Sequence, residues 1–170
     1  MAPCAARRPT RAFTLIELIL VMVLMAIVAS AVVPSLGRFS RSRQDHDAAD
    51  QLVSIIQYAQ NQAASTGFTH RLQLDPAAGT YYITSNQSGS YARPTDNYGR
   101  TFSVGSGLTA DWDAPVEIST RGYLEFSPDG AHDVAIIRLT AHDGDVILVG
   151  CASASEPYHV GGPDDRRVEP

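Results

Sequence analysis

One run of residues, Phe13 to Val33 (FTLIELILVMVLMAIVASAVV), is apolar almost throughout and is followed at once by Pro34. At about 1.5 Å per residue it rises roughly 32 Å as a helix, enough to cross a hydrocarbon core of about 30 Å. The run therefore reads as a membrane span. Its polar side chains are Thr14, Glu17 and Ser30, and hydroxyls can bond back to the helix's own carbonyls. Glu17 is the anomaly. A carboxylate at the bilayer centre costs about 2.5–3.5 kcal/mol on insertion scales, and less near the end where Glu17 lies. Either it snorkels to the interface, or it has a partner of opposite charge; the partner is the expectation.

The residues before the run are basic, with Arg7, Arg8 and Arg11 and no acid. Positive charge beside a span tends to stay in the cytoplasm, so the N-terminus is expected inside and the chain after Val33 outside. Arg38, Arg41 and Arg43 oppose this from the other flank, but they are mixed with Asp45, Asp47 and Asp50. Ala29-Ser30-Ala31 fits the small-x-small pattern of a cleavable signal, which is the competing reading. Against it, the apolar run is longer than such a signal needs.

The stretch R-A-F-T-L-I-E-L, then an apolar run and a proline, resembles the class III signal of type IV pilins and type II secretion pseudopilins. That resemblance implies a membrane prepilin peptidase that cuts between Ala12 and Phe13, followed by N-methylation of Phe13. Ala12 stands where the family prefers Gly. The resemblance also gives Glu17 its partner: the new α-amine of a neighbouring subunit. An α-amino group is largely cationic at neutral pH. Two charges at one membrane depth then neutralise each other only at the correct stagger. Pro34 removes a backbone donor and crowds the carbonyl of Ser30, so a helix kink is expected there.

Residues 47–65 read as an amphipathic helix with Leu52, Ile56, Ala59 and Ala63 on one stripe, widened by Ile55. Gly67 ends it. No strong breaker separates Gly37 from Gly67, so one continuous helix from Phe13 to about Ser65 is expected. The pattern then switches to period two. Strands are expected at 69–75, 80–85, 116–119, 123–126, 134–140 and 146–151, with turns at 76–79, 127–130 and 142–145. Residues 86–115 read as a long loop with a short strand near Phe102 to Val104. The order of helix, immediate strand and serial hairpins is similar to GspH/FimT-type minor subunits. The expected fold is α+β: a long N-terminal helix on an antiparallel β head. Its parts are a leader (1–12), an assembly helix (13–33), the outer half of the helix (34–66), the head (67–151) and a flexible tail (152–170).

Formal charge is −5, and without the leader's three arginines it is −8. All the basic residues are arginine; the chain has no lysine. An acidic exported domain is a poor binder of nucleic acid phosphates. Cys4 leaves with the leader, so Cys151 has no intramolecular partner and reads as a small buried residue at a strand end. The acid pairs Asp111/Asp113, Asp129/Asp133 and Asp143/Asp145 lack calcium-loop spacing and read as solvated turn acids. The five histidines are scattered, and no nucleophile elbow or phosphate-binding loop is present. Tyr81, Tyr82, Tyr91, Tyr98 and Trp112 read as half-buried aromatics. No catalysis, cofactor or metal is expected. The favoured function is a minor pseudopilin of a type II secretion system, with the prepilin peptidase, other pilin-like subunits and inner-membrane lipid as partners. The alternatives are a minor type IV pilin serving a pilus or DNA uptake, and a signal-anchored exported enzyme or binding protein.

Overall fold

The computed structural model describes residues 14–165, with residues 31–40 described by their backbone alone. The leader, Ala12, Phe13 and the tail arginines Arg166 and Arg167 lie outside the described residues. The chain divides into two compact units between Arg41 and Ser42.

In the first unit the backbone is helical from Leu15 onward, as part of α1 (Leu15–Thr66). It stays helical through Pro34. The apolar side chains here, from Leu15 to Val28, are largely exposed. Ser30 Oγ donates to the Ile27 carbonyl at 2.7 Å, so this hydroxyl is satisfied within the helix. Among the described residues no helix is long and apolar enough to cross a membrane. Described side chains of the expected span stop at Ser30.

In the second unit the remainder of α1 carries the expected stripe. Ala49, Leu52, Ile55, Ile56, Ala59 and Ala63 are all buried. Three alanines on that face remove bulk where the helix meets its neighbours. At its end Gly67 donates its N–H to the Ala63 carbonyl at 3.0 Å with φ 73. A left-handed residue closes a helix most cheaply when it is glycine.

Two antiparallel sheets complete the head. The first contains β1 (His70–Asp75), β2 (Thr80–Asn86), β3 (Tyr91–Ala92), β4 (Phe102–Ser103) and β6 (Tyr123–Phe126), in the order β3-β2-β1-β6 with β4 also on β2. The second runs β5-β7-β8-β9, with β5 (Leu108–Asp113), β7 (Ile136–Ala141), β8 (Val146–Gly150) and β9 (His159–Gly161). Alternation sends Leu72, Leu74, Tyr81, Ile83, Leu124 and Phe126 inward from the first sheet. From the second come Leu108, Ala110, Ile137, Leu139, Ile147 and Val149. These side chains share one buried cluster with the stripe of α1.

Three expectations need correction. Residues 86–115 are more than a long loop with one short strand: β4 is the strand expected near Phe102, and β3, a 3-10 turn (Asn97–Gly99) and all of β5 come in addition. Val116–Ser119 is not a strand but the start of α2 (Val116–Arg121). Four residues of alternation cannot separate strand from helix. Pro115 ahead of it, Glu117 in the first turn and Arg121 in the last favour the helix. Nor is the chain a loose tail from Ala152. His159–Gly161 pairs with Leu148–Gly150 as β9, and Tyr158 is fully buried.

Candidate functional site

Thr14 directly precedes the helix, which begins at Leu15. The Glu17 N–H donates to Thr14 Oγ1 at 3.3 Å and to the Thr14 carbonyl at 3.1 Å. Thr-x-x-Glu is a capping-box sequence, and an acid in the first turn faces the positive end of the helix dipole. Glu17 is exposed, and so are its apolar neighbours Leu15, Ile16, Leu18 and Ile19. A single carboxylate thus sits in a sleeve of exposed hydrocarbon. Contiguous apolar surface of this kind is covered by lipid or by another protein. Of the residues expected to take part in processing and assembly (Ala12, Phe13, Glu17 and Pro34), only Glu17 has a described side chain; Pro34 is seen as helical backbone.

On the head, the turn acids serve the fold. Asp129 accepts from the Ala131 N–H at 3.0 Å, and Asp111 from the Trp112 N–H at 2.8 Å. Asp133 accepts from the Glu125 N–H at 2.6 Å and pairs with Arg121, while Asp113 pairs with Arg138. Two histidines are buried. His70 Nδ1 lies 2.9 Å from the Phe68 carbonyl. His132 faces the carbonyls of Asp133 (3.0 Å) and Glu156 (2.9 Å). Cys151 is a buried residue directly after β8, and burial pushes its thiol up.

The tyrosines divide by face. On the outer face of the first sheet, the Arg71 guanidinium lies between the rings of Tyr91 (3.5 Å) and Tyr123 (4.2 Å). Its Nε donates to Glu125 at 2.8 Å. On the inner face, Tyr81 is fully buried and its hydroxyl has no hydrogen-bond partner. Burial pushes Tyr81 up to about 12 and Tyr158 well above the ordinary phenol value. The folded state therefore holds the Tyr81 proton more tightly than the unfolded chain does. Its contribution to stability is complete below about pH 10 and is lost as pH rises to about 12, a change of roughly 2 kcal/mol. Denaturant midpoints measured from neutral pH to pH 12 should fall across that window, and Tyr81→Phe should make the fall shallower, Tyr158 keeping its own share of it.

Where α1 leaves the first sheet, the core gives way to a polar cavity of about 470 Å³. Its walls come from the last turns of α1, the start of β1, the end of β2 with the loop that follows it, and the segment from Ala92 of β3 onward. The Tyr58 hydroxyl donates to Asp96 at 2.5 Å and accepts from Gln62 Nε2 at 3.0 Å. Its ring stacks on Tyr98 with centroids 3.7 Å apart. The loop carrying Asp96 and Tyr98 closes so tightly that a Cβ on Gly99 would lie 1.8 Å from the Pro94 carbonyl oxygen. Sequence reasoning missed this cavity.

Residues 7–33 match the prokaryotic N-terminal methylation motif. No curated protein matches the chain. Among solved structures, the minor pseudopilin EpsH from the type 2 secretion system of Vibrio cholerae superposes with a TM-score of 0.59 at 11% identity, covering 72% of this chain and 99% of that one. The type IV minor pilin FimU of Pseudomonas aeruginosa superposes with a TM-score of 0.52 at 20% identity, covering 73% of this chain and 91% of that one. The chain is pilin-like in its motif and in its fold, with the helix and antiparallel sheets that the sequence implies.

Proposed function

We propose that this chain is a minor pseudopilin of a type II secretion system, GspH-like in role. It is cut between Ala12 and Phe13 by a prepilin peptidase, N-methylated at Phe13, and held in the inner membrane by its N-terminal helix with the head outside. From there it joins other pilin-like subunits in a short filament that serves protein export. The observation that carries this reading is Glu17, capped by Thr14 at the head of an exposed apolar helix, inside the matched methylation motif. Such a helix needs lipid or a neighbouring subunit around it, and such a carboxylate needs a cation. Pro34 loosens the helix beyond the span when the subunit moves from membrane to filament.

A second reading shares all of this but places the chain in a type IV pilus. It is favoured by the likeness to FimU, which is higher in identity though lower in superposition than that to EpsH. The shared part is tested by mass spectrometry of the N-terminus of membrane-extracted protein. The expected terminus is N-methyl-Phe13. A start near Ala31 or Val32, or an intact Met1, overturns the proposal. Deleting secretion genes or pilus genes and asking which loss strands the chain in the membrane separates the two machines.

A further inference from the structure

We propose that the polar cavity at the end of α1 is a binding site for a neutral saccharide. The inference starts from two side chains on its wall. His70 and Ser85 are cross-strand partners in the register of β1 and β2. Alternation points both to the inner face, in line with Leu72 and Ile83. They are 3% and 2% exposed, so they are as buried as the core beside them. Both line the cavity. A polar pair so deeply buried at the end of an apolar interface stabilises nothing by burial alone; desolvation works against it.

The chemistry left open at the cavity defines the ligand. His70 Nδ1 faces a carbonyl, which can only accept, so Nδ1 carries the proton. Nε2 is then left for a polar group of the ligand. Ser85, Ser88 and Ser90 add hydroxyls that both donate and accept. The charged groups are already engaged. Arg93 lies over the Tyr82 ring at 4.0 Å and donates Nη1 to Thr101 at 3.1 Å. Asp96 accepts from the Tyr58 hydroxyl and from the Tyr98 N–H at 2.9 Å. The two charges on the lining, Arg93 and Asp96, are opposite in sign, so the cavity favours a neutral ligand dense in groups that donate and accept. Among the lining residues only Ala92 and Pro94 are wholly aliphatic. A peptide would need an apolar anchor pocket, and the cavity supplies none. Sugar hydroxyls fit the lining, and the volume lies within the range of about 300–1,000 Å³ usual for small-molecule sites. The stacked pair Tyr58–Tyr98 holds one wall rigid, so little ordering accompanies binding.

The test is ligand-observed saturation-transfer NMR on the full chain in detergent. The probes are maltose, cellobiose and the N-acetylated disaccharide chitobiose. The first two stand for glucan sources and the third for an amino-sugar glycan. Saturable binding of at least one is expected. Ser88 and Ser90 are exposed, so Ser88→Trp and Ser90→Trp should fill the cavity, leave the fold intact and abolish binding. Ser85→Ala should weaken binding about fivefold, the loss of one hydrogen bond. Gln73→Ala, on the opposite face of β1, should leave it unchanged. Should Ser85→Ala fail to fold, the two tryptophan variants decide. Binding by none of the sugars overturns the proposal, as does binding that survives both tryptophans. So does capture of a peptide at the cavity in place of a sugar. None of these outcomes depends on how the N-terminus is processed, so this proposal and the filament reading fail separately.

Discussion

A chain that stops at Cys151 is expected not to fold its head. The segment removed contains Tyr158, which is fully buried. Its ring meets Phe126 edge-on at 6.5 Å and lies tilted to His132 at 5.4 Å, and its hydroxyl donates to the Asp133 carbonyl at 2.8 Å. Emptying a site that holds a large buried aromatic typically costs about 3–5 kcal/mol. His132 then loses the Glu156 carbonyl facing its ring and the Ala154 carbonyl that accepts its N–H. Each buried group left unsatisfied adds about 1–3 kcal/mol. The pairing of β9 on β8 goes as well. Together these come to about 5–11 kcal/mol before the lost pairing of β9 is counted, comparable to the roughly 5–15 kcal/mol stability of an ordinary domain. Circular dichroism and thermal melting of the truncated chain should show no cooperative transition. Tyr158→Ala alone should lower stability by about 3–5 kcal/mol, and Tyr158→Phe by only about 1. A native-like melt of the truncated chain would return residues 152–165 to the status of a tail.

Glu17→Ala is expected to abolish co-assembly while leaving membrane insertion intact or improved. The carboxylate opposes insertion by up to about 2.5–3.5 kcal/mol, so its removal favours the bilayer. In a filament its loss leaves the neighbour's α-amine without a counter-charge, at a cost of about 3–5 kcal/mol when the pair is buried. Membrane fractionation and co-purification with the other pilin-like subunits read the two effects separately. The composition offers a sharper assay. With no lysine in the sequence, the α-amine is the chain's sole primary or secondary aliphatic amine. A zero-length carbodiimide cross-link from this chain's amine to a carboxylate of a neighbouring subunit can therefore start only from the α-amine of Phe13. Mass spectrometry should find that amine on the neighbour's first-turn glutamate, and Glu17 joined to the terminal amine of the next subunit. Cross-links to another acid, or assembly that proceeds in Glu17→Ala, would sink the pairing.

The long helix was legible because its signal repeats over many turns: Leu52, Ile56, Ala59 and Ala63 return to one face, and Gly67 punctuates the end. The strands flanking tight turns were legible for a similar reason. β5 was not, although Leu108 and Ala110 alternate with Thr109 and Asp111. Its alanine and two aspartates belong to loop composition, and only pairing with β7 makes it a strand. β9 is shorter still, and its anchor is one buried ring, Tyr158, in a polar stretch. The N-terminal signal was read from local sequence alone. The polar cavity could not be, because its walls come from four segments, joined only once His70 and Ser85 fall into register.

The outermost strands of the head have a bearing on how copies of the molecule meet. On one side of each sheet the boundary strand is only two or three residues long: β3 and β4 in the first, β9 in the second. At the first of these borders the Tyr91 ring lies 3.5 Å from the Arg71 guanidinium. The longer border, β5, presents Asp111 and Asp113. Brevity and charge at a margin are what keep a foreign strand from zipping on. Sheet-to-sheet propagation of the amyloid kind is thereby discouraged.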